Sequence, residues 1–379
     1  MRAEWAERLA RIDAADWNRL AGTANPFVQH AFLVALENNR CLEEYGWYPR
    51  HLLLYEEQEL VAAMPLYIKD NSYGELVFDW AWADAYHRQG LKYYPKLVVA
   101  IPYTPATGPR LLIAPARDYA TYSQLLIAHA TRYAQDNGMS SLHWLFTDAR
   151  DTQRFRELNY PLRLGCQFHW TNQGYTSFEH FLQALNAQKR KQIKRERRRV
   201  AEQDIRLEIR HGDEMSEAHW QIYHDFYTST FDRKSGMATL SREFFQEIGR
   251  TMPRSVVVVF ARHGADYVAS AFCVRGADTL YGRHWGCRDE YHSLHFEACY
   301  YQGLEYCITQ GLQRFEPGAQ GEHKISRGFL PTPTWSAHWI ADPQFREAIA
   351  HYTQHEELGM QHYINSLMAH SPFRKTDRT

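Results

Sequence analysis

Three stretches of the chain concentrate side chains able to do chemistry. The first is Lys189-Arg190-Lys191-Gln192-Ile193-Lys194-Arg195-Glu196-Arg197-Arg198-Arg199, where eight of eleven residues are basic and one is acidic. On a helix, Arg190, Lys194 and Arg197 share one face at i, i+4 and i+7. Such a face grips phosphates, whether of a nucleotide diphosphate or of an RNA backbone. The plain alternative is a solvated helix face, but the run holds too few acids to neutralise itself. The second stretch is Phe78-Asp79-Trp80-Ala81-Trp82-Ala83-Asp84-Ala85-Tyr86, two carboxylates among aromatic rings. Read as a strand, its alternation puts Trp80, Trp82 and Asp84 on one side. A carboxylate beside indoles suits an amine or a sugar ring; the alternative is a core strand with a polar end.

The third stretch is the densest. It comprises Tyr281-Gly282-Arg283-His284-Trp285-Gly286, then His295-Phe296-Glu297, then Glu316–Lys324. Glycines flank polar residues at strand ends, where a ligand can approach the backbone. Glu297 falls on the apolar stripe of a helix with Leu294, Tyr301 and Leu304, so its pKa rises if it is unpaired. An ion pair with Arg283 is the structural alternative. Glu316 closes a short strand and opens a glycine loop, a common post for a catalytic side chain. No G-x-S-x-G elbow and no G-x-x-x-x-G-K-S/T loop occurs, which disfavours hydrolase triads and P-loop chemistry. His351 and His355 are spaced as a helical metal pair, but no second motif supports them, so no metal is expected.

The whole chain must position these groups. Its 379 residues predict about two domains. Hydrophobic residues at 45% and charged residues at 23% are those of a globular protein, which excludes a disordered chain, a collagen-like fibre and a coiled-coil rod. The net charge of -1 confines any attraction to polyanions to a local patch. Six cysteines without a C-x-x-C pair read as reduced thiols, and no signal peptide or membrane run is visible, so a cytoplasmic location is expected.

Strand-like and helix-like segments alternate, which gives an α/β or α+β class. Ala3–Leu20 reads as an amphipathic helix, and Asn25-Pro26 opens another through Leu36. His51–Tyr55 and Leu60–Tyr67 read as a hairpin, Gly74–Ala83 as β-prone, Lys96–Ile101 as a strand, and Tyr119–Asn137 as a helix closed by Gly138. In the second half, helices are expected at Gln188–Glu202, His219–Thr230 and Arg242–Thr251. Strands follow at Ser255–Ala261, Tyr267–Val274 and Thr279–Gly286, then a helix at Leu294–Gln310 and a strand at Arg314–Glu316. The expected domains are 1–160 and 161–379, with the His-rich helix of 332–379 free to pack back on either, the first included.

Five segments together resemble one bacterial family: FDWAWADAY (Phe78–Tyr86), YYPKLVVAIPYTPATGPRLL (Tyr93–Leu112), LYGRHWGC (Leu280–Cys287), LHFEACYYQGLEYCI (Leu294–Ile308) and FEPGAQGEHKISRGFLP (Phe315–Pro331). That family is the FemAB-like N-acyltransferases, associated with peptidoglycan biosynthesis. The resemblance implies two tandem GNAT-like acyltransferase domains, each a mixed central sheet flanked by helices, similar to the Fem aminoacyl-tRNA-dependent peptidyltransferases. Those enzymes carry K-S/T-R-x-x-I-R/K, on which Lys189, Arg190, Ile193 and Lys194 can be laid loosely. They also carry F-K-x-x-F-G, which Lys324-Ile325-Ser326-Arg327-Gly328-Phe329 resembles in altered order. Lys324 thereby becomes the candidate cation near the reacting carbonyl. Acetyl-CoA-using GNAT proteins carry Q/R-x-x-G-x-G/A, whose glycines let backbone N–H groups approach a pyrophosphate. The matching segment, Gly286–Ser293, lacks those glycines, which weakens an acetyl-CoA reading.

The resemblance implies N-acyl transfer from an activated donor, aminoacyl-tRNA or acyl-CoA, to an amine. Glu316 or Glu297 takes the amine proton, with His284 as the alternative base. Lys324 and Arg283 stabilise the oxyanion or hold an acidic acceptor. Lys189, Arg190 and Lys194 hold donor phosphates. Asp79, Trp80, Trp82, Asp84, Tyr281 and Arg283 line the substrate side. No tightly bound cofactor is expected beyond acyl-CoA or aminoacyl-tRNA as co-substrate, with tRNA a partner for residues 189–199. The rival reading is a non-catalytic protein binding a cell-wall precursor or nucleotide-type ligand in the same cleft. A plain RNA-binding module ranks last, since the rest of the chain lacks the patterning.

Overall fold

The four valines Val256–Val259 begin a strand, Val256–His263, buried through its first six residues. β-Branched side chains fit a pleated surface covered on both faces. Ile205–His211 and Asp266–Arg275 flank it, both antiparallel. The series continues through Thr279–Cys287, antiparallel to Asp266–Arg275, to Arg314–Glu316, which runs parallel to Thr279–Cys287 and antiparallel to Trp170–Thr171. In the computed structural model, which describes residues 1–233, 236–319 and 321–374, this sheet belongs to one of two units. That unit holds Cys166–Thr332 and the segment from Tyr363; the other holds Met1–Gly165 and Pro333–His362.

Helices cover the second unit's sheet. Ser177 caps Phe178–Ala184 through His180 N–H, and Asn186 caps Ala187–Glu202 through Lys189 N–H. Glu217–Arg233 lies against Thr279–Cys287, and Gly286 permits the approach. A Cβ there would stand 2.0 Å from the carbonyl oxygen of Phe226. Trp170, Phe181, Leu304, Phe315 and Phe329 meet in the main core.

The first unit is built from two strand sets. Arg2–Ala6, His51–Glu56, Glu59–Met64 and Leu112–Ile113 form an antiparallel sheet. Trp47–Pro49, Leu66–Lys69, Lys96–Val99, Ser141–Thr147 and Trp335–Ile340 form the other, with one parallel pair, Lys96–Val99 beside Ser141–Thr147. The helix Tyr119–Asp136, capped by Asp118, buries Leu126, Ile127, Ala130 and Ala134 against Leu142 and Trp144.

Each unit is therefore a mixed sheet flanked by helices, as expected. Two local expectations are corrected. Ala3–Leu20 is not one helix: Arg2–Ala6 is a strand paired with His51–Glu56, and the helix starts only at Ala14, capped by Asp13. Trp80–Arg88 is a helix, so Trp82 turns into the core while Trp80 and Asp84, at i and i+4, stay on the exposed side. Its three alanines favour that state. Leu330–Ile340 is a strand despite Pro331 and Pro333, and Pro343–Met368 is a long helix.

Candidate active-site cleft

In the second unit the parallel pairing of Thr279–Tyr281 with Arg314–Glu316 lasts three residues, and then the chain turns away at Pro317. Gly282 lets the strands part closely, since a Cβ there would crowd Pro317 Cα at 3.1 Å. One residue further the strand bulges. Phe272 faces His284 and Cys273 faces Gly282, which leaves Arg283 as the extra residue. A bulge breaks the ladder and re-aims a side chain. The helix opposite is irregular too. Between Leu294–Phe296 and Gln302–Thr309 it makes a π turn, Glu297–Tyr301, in which Gln302 N–H bonds the carbonyl of Glu297. Such turns shift side chains out of helical phase and gather at functional sites.

Between these irregularities lies a cleft of about 370 Å³. The strand contributes Gly282–Trp285, the helix His295, Cys299 and Tyr300, and the loop Pro317–Ala319, followed by His323 and Lys324. Among the described residues lining it there are two fixed cations and three imidazoles, and no carboxylate. The cleft is built for a ligand or transition state carrying negative charge.

Lys324 is buried and donates to the carbonyl of Gly318 at 2.8 Å. Burial lowers its pKa to about 8, with a small opposing pull from Cys299. Arg283 is lowered to about 10 by burial, against the raising pull of Tyr227, Tyr223 and Glu316. Burial and the Arg283 charge hold His284 well below the usual imidazole range, so it is neutral and weakly basic. Its ring stands edge-on to Tyr227 at 4.8 Å. Tyr281, expected on the substrate side, is buried and does not line the cleft; burial raises its hydroxyl pKa, with Glu316 adding to the rise.

The other candidate residues lie elsewhere. Glu316 is buried but does not line the cleft; His169 Nδ1 is 3.9 Å from it and Arg314 Nη1 4.0 Å. Glu297 is buried; both its carboxylate oxygens accept from Arg197 Nε at 3.2 Å, and Oε1 also accepts from Gln302 at 2.8 Å. The pair expected with Arg283 is made with Arg197 instead. Arg197 also reaches Glu305 at 2.8 Å and stacks over Phe178 at 4.5 Å, so it leaves the face assigned to it with Arg190 and Lys194.

The outer face of the basic helix forms a second concavity, about 290 Å³, lined by Arg190, Lys191, Lys194, Arg195 and Arg198 with Ala187. Lys194 meets Glu179 at 2.8 Å and Arg198 meets Glu202 at 3.4 Å, both exposed pairs of little energetic weight. Lys189 does not line it. Asp79, Trp80, Trp82 and Asp84 belong to the first unit. Asp79 is buried and accepts from Lys96 and from Tyr93 OH at 2.6 Å. Burial alone would raise its pKa, but Lys96 outweighs that and holds it below the usual value. Trp82 is core, Trp80 is exposed, and Asp84 pairs with Arg88 on the surface. The four do not converge. The His351 and His355 rings lie 4.3 Å apart and tilted at 49°, and no group of three or more metal-binding side chains gathers among the described residues.

Tyr300 and Cys299 escape the sequence reading, which singles out the stretches holding His295 and His323 but gives those two residues no role. His295 and Cys299 share helical spacing and were visible in principle. Tyr300 joins them only through the added residue of the π turn.

Residues 8–375 match the FemAB-like family, described as peptidoglycan biosynthesis/recognition. The chain belongs to this family. Its fold is that of FemX, a crystal structure aligned at TM-score 0.55 and 9% identity over 92% of this chain and 100% of that one. L-PGS from Bacillus licheniformis aligns at TM-score 0.51 and 10% identity over 87% and 98%. No curated protein matches the sequence. No described helix is long and apolar enough to cross a membrane. For this FemAB-like protein, family membership supports peptidoglycan-related acyl or aminoacyl transfer in general terms.

Proposed function

We propose that this protein is an N-acyltransferase that moves an aminoacyl group from a charged tRNA to the amine of a cell-wall peptide, using the cleft of the second unit. The observation that carries the reading is the convergence of Lys324 and Arg283 on a carboxylate-free cleft, at the point where two parallel strands part. Attack of an amine on an ester carbonyl places negative charge on the carbonyl oxygen. A preorganised cation in a partly dry site stabilises that charge where it develops. Lys324 is the group for this, with its position fixed by Gly318. Arg283, re-aimed by the bulge, holds an acidic group of the acceptor.

Two features favour tRNA over acyl-CoA as donor. The helix after the bulged strand has only three α-helical residues before its π turn, and Ser293 before it is left-handed at φ 67°. It offers no run of N–H groups for a pyrophosphate. The face formed by Arg190, Lys191, Lys194 and Arg195 instead fits a phosphate backbone.

The test is transfer by the purified full chain. Charged tRNA and acetyl-CoA are offered in turn as donors, with a lysine-containing peptide as acceptor and mass spectrometry of the product. Amide formation from charged tRNA supports the reading. Formation from acetyl-CoA alone keeps the acyltransferase and removes the tRNA. Product from neither donor overturns it.

A further inference from the structure

Among the described residues lining the cleft there is no carboxylate to remove the proton that an attacking amine must lose, and burial and the Arg283 charge leave His284 weakly basic. Tyr300 and His323 offer another route. Tyr300 comes from the π turn and His323 from the short helix Glu322–Arg327, and both line the cleft. Tyr300 OH lies 2.9 Å from His323 Nε2. Tyr300 is buried, whereas the imidazole is open to solvent.

Both rings are held. Tyr300 stacks with Phe296 at 6.2 Å and meets Phe329 at 5.5 Å. Arg327 donates to the carbonyl of His323 at 2.8 Å and is itself fixed by Glu196. The charged or titratable groups facing the pair are Cys299, His295, Arg327 and Lys324. Burial raises the Tyr300 hydroxyl above its ordinary value. Burial, Arg327 and Lys324 lower His323, which favours the neutral imidazole, and its Nε2 is within hydrogen-bond distance of the tyrosine hydroxyl.

We propose that Tyr300 and His323 are the proton relay of this cleft and take the place of a carboxylate base. The inference rests on the acyl-transfer reading above. As the amine nitrogen forms its bond to the carbonyl carbon, its proton passes to Tyr300 Oη and the tyrosine proton passes to His323 Nε2. The ester C–O bond then breaks, with its electron pair going to the leaving oxygen. The imidazolium proton returns through Tyr300 to that oxygen. The pair ends as it began, and the products are a neutral amide and a neutral hydroxyl.

The test uses the full chain, charged tRNA and the lysine-containing peptide. Tyr300→Phe keeps the ring and removes the relay atom; kcat is expected to fall by about 100-fold or more with KM little changed. His323→Gln, at an exposed position, is expected to lose a similar factor. It also abolishes the acid limb of the pH–rate profile, which in the parent lies below the ordinary imidazole value. A merely structural role would lower the melting temperature and leave that limb in place. Folded Tyr300→Phe or His323→Gln working within threefold of the parent overturns the relay while leaving acyl transfer intact. Absence of transfer by the parent from any donor overturns both readings together.

Discussion

Glu196 and Arg327 give the sharpest test of what holds the cleft wall. Arg327 Nη2 lies 2.9 and 3.0 Å from the two oxygens of Glu196, and both residues are at most 7% exposed. Tyr301 OH also donates to Glu196, and Arg327 packs over Phe296 at 3.4 Å. Replacing Glu196 by Ala leaves a buried guanidinium without its counter-charge. Breaking such a pair from one side costs about 3–5 kcal/mol. At about 2–4 °C per kcal/mol for a unit of this size, the melting temperature should fall by roughly 6–20 °C. Glu196→Leu combined with Arg327→Met removes both charges and should recover most of that loss. The measurement is thermal unfolding followed by circular dichroism. Glu196→Ala melting within about 2 °C of the parent would refute the reasoning, since the pair would then be solvated rather than buried. Transfer should fall further than stability in this variant, because Arg327 also fixes the carbonyl of His323.

Further expectations follow from the same geometry. Lys324, lowered to about 8, supplies its cation only below that pH, so transfer should decline as pH rises through about 8 rather than near the usual lysine value. Stability should move the other way. Between about 8 and 10.5 the unfolded chain binds the proton that the folded chain has lost, so this group makes unfolding harder as pH rises there. Lys324→Gln should reduce kcat by about 100-fold at pH 7, read in the same transfer assay. Lys191→Glu with Arg195→Glu should weaken tRNA binding and flatten its salt dependence by about one unit of slope per lost phosphate contact, leaving the melting temperature unchanged. Gly286→Ala should destabilise by about 1–3 kcal/mol in urea unfolding, since its Cβ would overlap the backbone of Phe226.

The second half was the more legible in sequence. The helix Arg242–Thr251 and the strand Arg314–Glu316 have the expected bounds, the helix because Ser241 caps its start. Arg2–Ala6 was hidden because its five residues sit in a charged, alanine-rich stretch, and only pairing with His51–Glu56 makes them a strand. Trp80–Arg88 misled because alternating tryptophans mimic a pleat. The cleft was half visible. Arg283, His284 and Lys324 stand out as polar groups beside glycines. The bulge at Arg283 depends on register with Asp266–Arg275, and the pairing of Tyr300 with His323 depends on a π turn. Neither leaves a local mark. Glu297 stood out for the right reason, a carboxylate on an apolar stripe, but its partner Arg197 lies a hundred residues away.

The first unit is not continuous along the chain, and this sets the order in which the protein is made. Trp335–Ile340 pairs with Ser141–Thr147, and His338 Nδ1 lies 2.8 Å from His143 Nδ1 in the interior. A ribosome must add Cys166–Thr332 between those two strands, which takes roughly 8–33 s at ~5–20 residues per second. Throughout that interval Ser141–Thr147, buried at every position in the finished fold, has one edge unpaired. The second unit's sheet is complete before the first unit can close. A chain released early, by stalling or by truncation before residue 340, would carry that bare edge into the cell and become a client for chaperones or a seed for aggregation.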